Sequence, residues 1–164
     1  MRHFFSNTLA ALAEIAERLG VKQMYIDAQQ QYSVAQVVTA TAVSTNAIDH
    51  SQDRNFGIGE PMVIVITVGS AAVTAGTLTI QLQSDTTSAF GAPVTVATSP
   101  AIQQTTLVAG YKYVLPVPPD LLTQRWSRLN YVIVTITTVT LTAELQPASM
   151  VQNEVYYPAG VTIQ

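Results

Sequence analysis

The chain is 164 residues long, 48% hydrophobic and only 10% charged, with seven Lys and Arg against ten Asp and Glu, for a net charge of −3. That is one domain's length, too apolar for disorder and without the basic stripe that neutralises nucleic-acid phosphates. The absence of cysteine removes disulfides, thiolate metal sites and thiol nucleophiles. Charge keeps free monomers apart in solution, so a surface built mostly of Thr, Ser and Gln suggests cover by other subunits.

The first 23 residues predict a helix. Leu9, Leu12, Ala13, Ala16 and Leu19 recur at helical spacing, Asn7 can cap the start, and Gly20 can end it. Glu14, Glu17 and Arg18 fall on the wet side. A helix this short needs a surface to lie on, which makes Leu9, Leu12 and Leu19 candidate contact residues. Arg2, Phe4 and Phe5 followed by Ala11-Leu12-Ala13 imitate a signal peptide, but Ser6, Asn7 and Thr8 interrupt the apolar run. Export is therefore not expected.

Residues 24–145 read as one all-β domain. Candidate strands in chain order are 34–43, 62–68, 77–83, 94–98, 111–115, 129–136 and 139–145. In Thr77-Leu78-Thr79-Ile80-Gln81-Leu82-Gln83 every second residue is apolar, the mark of a strand with one buried face. Val139, Leu141, Ala143 and Leu145 alternate in the same way. Met62–Val68 and Leu129–Ile136 are more uniformly apolar and β-branched, as central strands are. Turn clusters lie at 55–61, 69–76, 84–93 and 116–120. No ionisable side chain occurs from Pro61 to Ser84, enough length to cross a bilayer. Gly69, Gly76 and scattered hydroxyl and amide side chains make two strands and a turn instead. Short strands without intervening helices predict an antiparallel jelly-roll-like β-sandwich, preceded by the helix and followed by an extended tail over 146–164.

Little in the chain resembles catalytic machinery. His3 lies in the terminal helix segment, and His50 sits within Asp49-His50-Ser51-Gln52-Asp53. Triads are assembled in space from rigid elements, so this loop reads as a solvated turn rather than a catalytic or calcium site. Gly57-Ile58-Gly59-Glu60 precedes a strand, not a helix, and so lacks the helix N-terminus that a phosphate loop uses. No catalytic residue, cofactor site or metal site is expected. Arg125-Trp126-Ser127-Arg128 is the densest interaction chemistry, placing the only Trp between two cations. Arg125, Trp126 and Arg128 are therefore candidate contact residues, against the plainer reading of a Trp that seals the sandwich end. Tyr156 and Tyr157 in the tail join them, in an extended segment suited to strand addition. Tyr111, Tyr113 and Trp126 could instead form a platform for sugar rings, the basis of an alternative reading as a carbohydrate-binding or adhesion module.

Several segments, in order and spacing, resemble one family. They are Met24-Tyr25-Ile26-Asp27, residues 39–46 (Thr-Ala-Thr-Ala-Val-Ser-Thr-Asn), Ile48-Asp49, Gly59-Glu60-Pro61, and Gln81-Leu82-Gln83-Ser84 with Asp85 and Phe90. Leu107-Val108-Ala109-Gly110-Tyr111, Leu115-Pro116-Val117-Pro118-Pro119 and Arg128-Leu129-Asn130-Tyr131 complete the set. The chain from Met24 to Leu145 resembles the capsid cement (decoration) proteins of tailed bacteriophages, the jelly-roll family first described on a Bordetella phage head. The resemblance implies a non-enzymatic protein on the outer surface of the virion, bound to the major capsid protein lattice and locking capsomers together. It implies no nucleic-acid, membrane or small-molecule partner. Low charge density adds an expectation of self-association as a dimer or trimer. Residues 1–23 and the tail depart from the family pattern, so no role is carried over to them.

Overall fold

The computed structural model describes residues 28–53, 59–72, 75–119 and 122–151. Ten strands run antiparallel: β1 (Gln31–Val38), β2 (Ala42–Val43), β3 (Ile48–Asp49), β4 (Met62–Ala72), β5 (Thr77–Asp85), β6 (Val94–Thr98), β7 (Ile102–Gln103), β8 (Lys112–Pro116), β9 (Trp126–Val134) and β10 (Thr138–Pro147). One sheet has the order β1-β10-β4-β8. The other has the order β2-β9-β5-β6, with β3 also on β9 and β7 also on β5. Counting β2 with β3 and β6 with β7, eight strands alternate between two four-stranded sheets except at the β5–β6 hairpin. This is a jelly roll, the two-sheet solution that gives an antiparallel chain a shared core. The predicted helix over residues 1–23 lies outside the described residues, as do residues 152–164 of the tail. Among the described residues no helix is long and apolar enough to cross a membrane.

The alternation read in the sequence sets the core. Leu78, Ile80 and Leu82 of β5 face Leu129 and Tyr131 of β9, and Ile64, Ile66 and Val68 of β4 face Val139, Leu141 and Ala143 of β10. Val63 and Val65 lie on the opposite face of β4 and are buried without joining that core. The uniform apolarity of β4 thus records burial on both faces.

Several boundaries differ from the sequence reading. The predicted strand 34–43 is two strands, parted by a turn at 39–41 that carries the chain from one sheet to the other. β4 continues through Gly69 and Ser70, and β5 through Ser84 and Asp85. Ser70, Ser84 and Asp85 find register partners in β10 and β9, while Gly69 is the extra residue of a bulge opposite β10. β10 runs on to Pro147, with Gln146 buried, before a short 3-10 turn at Ala148–Met150. The two-residue strands β3 and β7 are too short for periodicity to reveal.

β1 carries the main irregularity. Its register with β10 moves from Gln31↔Glu144 to Ser33↔Ala143, so one extra residue is inserted on β1. Such a bulge breaks alternation, and the adjacent side chains Tyr32 and Ser33 are both fully buried. A second shift follows at Ala35, whose φ is 45° and whose N–H donates to Thr142 Oγ1 at 3.0 Å.

Candidate interaction site

Strand direction sorts the charges. At one end of the sandwich, Asp49 of β3 lies beside Trp126 of β9, which in turn lies beside Asp85 of β5. Arg125 precedes that row. Its Nε donates to Asp49 Oδ1 and a terminal guanidinium nitrogen donates to Asp49 Oδ2, both at 2.7 Å, a bidentate fork. The same guanidinium lies 5.5 Å from the Trp126 ring centroid. Its hydrogen bonds hold the Asp49 carboxyl down at about 2, below the ordinary 3.8. The backbone N–H of Arg125 donates to Asp53 Oδ1 at 2.8 Å. Asp49 and Asp53 therefore fix an arginine rather than offering a vacant cation cage. No group of three or more metal-ligating side chains occurs among the described residues.

Arg128 points the same way, two residues along β9. Its Nε donates to Gln83 Oε1 at 2.9 Å, and its guanidinium sits 4.3 Å from the Phe90 ring centroid. Phe90, at φ 50°, belongs to the β5–β6 loop, which wraps around Asp85. Asp85 Oδ1 accepts the Thr87 N–H at 2.9 Å, and Oδ2 accepts the Ala92 N–H at 3.0 Å. These amides hold the Asp85 carboxyl below its ordinary value. Next along the strand, Asn130 donates to Gln81 Oε1 at 2.9 Å. The result is a surface of two arginine–aromatic contacts and an amide ladder, held by partners from four strands and loops.

Behind this surface lies a buried hydroxyl chain. Ser127 points inward, and its Oγ is 2.8 Å from both the Tyr32 hydroxyl and His50 Nε2. Burial pushes the Tyr32 hydroxyl pKa up, against a smaller opposing effect of the Ser127 hydrogen bond. Tyr131 is shifted upward for the same reason, with its hydroxyl 2.8 Å from Ser33 Oγ. Ser127 and His50 are hydrogen-bonded, as in a nucleophile–base pair, yet Ser127 is fully buried and the Asp49 carboxylate is turned to Arg125. The arrangement ties sheet to sheet and leaves no face open to a substrate.

Arg125, Trp126 and Arg128 are thus brought together, with Asp49, Gln83 and Phe90 as partners that sequence reasoning did not assign. Leu9, Leu12, Leu19, Tyr156 and Tyr157 lie outside the described residues. The three rings of the sugar-platform reading are not assembled. Tyr111 and Tyr113 pack against the core at β8, while Trp126 opens β9 in the other sheet. Gly59 and Glu60 lead into strand β4, and Glu60 Oε1 accepts the Ser149 N–H at 3.2 Å, an ordinary turn contact.

Fold and site together define a jelly-roll protein with an arginine–aromatic surface at one end. The Bbp16 family model matches residues 32–148, from the second residue of β1 to just past β10. The chain belongs to the Bbp16 family. No curated protein matches it.

Proposed function

We propose that this protein is a structural component of a bacteriophage virion: a cement or decoration protein that binds the outside of the major capsid protein lattice and stabilises the head. The observation that carries the reading is the Bbp16 match over residues 32–148, which spans nearly all of the jelly roll and all but the first of the segments that resemble cement proteins. The Arg125–Trp126–Arg128 surface supplies the contact chemistry, since Trp and Arg dominate interface hot spots. On this reading the protein also self-associates, needs no cofactor, and acts on no small-molecule substrate.

The test is co-sedimentation with capsids assembled from the major capsid protein of the same genome, followed by electron cryo-microscopy. Saturable binding at symmetry-related outer sites is expected, and Arg125→Ala with Trp126→Ala weakens it while the protein stays folded. Absence of the wild-type protein from such capsids and from purified virions overturns the proposal.

A further inference from the structure

Every charged side chain placed by the described residues lies at one end of the sandwich or midway along it. Among the described residues the other end has none. Three connections and Gly76, which leads into β5, lie there: the turn at 39–41, the β7–β8 crossover at 104–111, and the turn at 135–137. Residues 31–48, 62–84, 86–111 and 129–143, which build this end and the strands leading to it, contain no Asp, Glu, Lys, Arg or His. Lys112 is the nearest charge, opposite Thr67 in the body of β4.

The uncharged end is also fixed in shape. Gly76, Gly110 and Thr135 hold left-handed backbone at φ 110°, 85° and 63°. Gln104 N–H donates to Gly76 O at 3.0 Å, and Gly110 N–H donates to Val68 O at 2.7 Å, pinning the crossover to β4 and to the residue that leads into β5. Leu107 is buried, while Val37, Val108 and Val134 are 63%, 58% and 58% exposed. A rigid apolar and hydroxyl surface loses little conformational entropy on being covered.

We infer that this uncharged end is the surface through which two or more copies of the chain associate. The charge distribution selects a second copy as the occupant. A two-fold contact sets one patch against a copy of itself, so a patch of net charge repels its own copy, whereas one of Val and Thr does not. A chain of net charge −3 that joins its copies here keeps like charges apart. The Arg125–Trp126–Arg128 surface then stays available at the opposite end. This inference rests on the self-association in the reading above and is independent of the capsid role.

Analytical ultracentrifugation of the full chain tests it, on wild type and on Val37→Lys, Val108→Lys and Val134→Lys. The expected result is a wild-type dimer or trimer and about 100-fold weaker association for at least one Lys variant, the effect of placing like charges against each other at a contact. Arg125→Ala with Trp126→Ala leaves association unchanged. Because the chain has no native cysteine, Val134→Cys gives a second readout that tolerates weak folding of the Lys variants. Its maleimide labelling slows at associating concentrations, whereas that of Val94→Cys, exposed at the other end, does not. A wild-type monomer at high micromolar concentration overturns the inference, as does association that none of the Lys variants weakens together with unprotected Val134→Cys. Lys variants that lose capsid binding but still self-associate assign the end to the capsid instead and also overturn it. Intact self-association surfaces on a protein that ignores capsids would defeat the capsid reading alone.

Discussion

The hydroxyl of Tyr32 in β1 lies 2.8 Å from Ser127 Oγ in β9, across the sandwich and 95 residues away in the chain. The reverse pair, Ser33 of β1 with Tyr131 of β9, has the same 2.8 Å separation. Two adjacent residues of one strand can reach two inward residues of the other sheet only because the β1 bulge turns both Tyr32 and Ser33 toward the core. A local irregularity thereby becomes a double clasp between sheets.

Ser127→Ala is expected to destabilise the fold by about 1–3 kcal/mol, because it leaves the buried Tyr32 hydroxyl and His50 Nε2 without their shared partner. Urea unfolding measures it as a lower midpoint with unchanged slope. Combining it with Tyr32→Phe should cost less than the sum of the single changes, since the second removes a hydroxyl that the first has orphaned. Strict additivity would show that the clasp is not a coupled unit.

Gly76 leads into β5, and a Cβ added there would fall 2.0 Å from the Val134 carbonyl oxygen. Its φ of 110° is strained for any other residue. Gly76→Ala is expected to cost more than about 1 kcal/mol, whereas Gly91→Ala, with nothing within 4 Å, should stay within about 0.5 kcal/mol of wild type. Thermal melts of the two variants, run together, check the contrast.

The strand alternation of β5 and β10 was legible because each sets Thr, Gln, Ser or Glu on one face against apolar residues on the buried face, so period two survives in the residues. The β4 pattern was legible as a strand but not in its depth, since burial of Val63 and Val65 on the far face erases the alternation. Arg125, Trp126 and Arg128 stood out by composition, and the structure does group them. Their partners did not stand out: Asp49 lies 76 residues from Arg125, and the pairing depends on β3, a two-residue strand with no period to read. Asp85 was hidden for a different reason. Its Thr-Thr sequel is an ordinary turn signal, and only the folded loop shows both carboxylate oxygens accepting amides. The Tyr–Ser clasp depends on a bulge, which no hydrophobic pattern announces.

Asp85→Asn removes the anionic acceptor around which the β5–β6 loop is wrapped and is expected to lower the melting temperature at neutral pH. The folded pKa of Asp85 is depressed below the ordinary 3.8 by the Thr87 and Ala92 amides. Its stabilisation is therefore present above that ordinary value and is lost as pH falls through the lower, folded value. The difference between wild type and Asp85→Asn should shrink on acidification below pH 3.8. A constant difference from pH 7 to pH 2 would mean that the carboxylate charge contributes nothing.

Glu144 gives the opposite sign. It is the partner of Gln31 and Val65 on the outer face of its sheet, is only 9% exposed, and has one carboxylate oxygen, Oε2, without a hydrogen-bond partner. Burial raises its pKa above the ordinary 4.5, and the charge of Lys112 offsets only part of that. A raised carboxylic acid pKa favours folding while the group is protonated in both states. That contribution is complete below 4.5 and is lost as pH rises through the folded value. At neutral pH the folded protein holds a poorly solvated anion, which costs stability. Glu144→Gln keeps the shape and removes the charge, so it should raise the melting temperature at pH 7. Below pH 4.5, where wild type is neutral at this position too, the two melting temperatures should converge. A melting temperature at pH 7 that falls in Glu144→Gln would show the carboxylate to be a stabilising partner of Lys112, with desolvation the weaker effect.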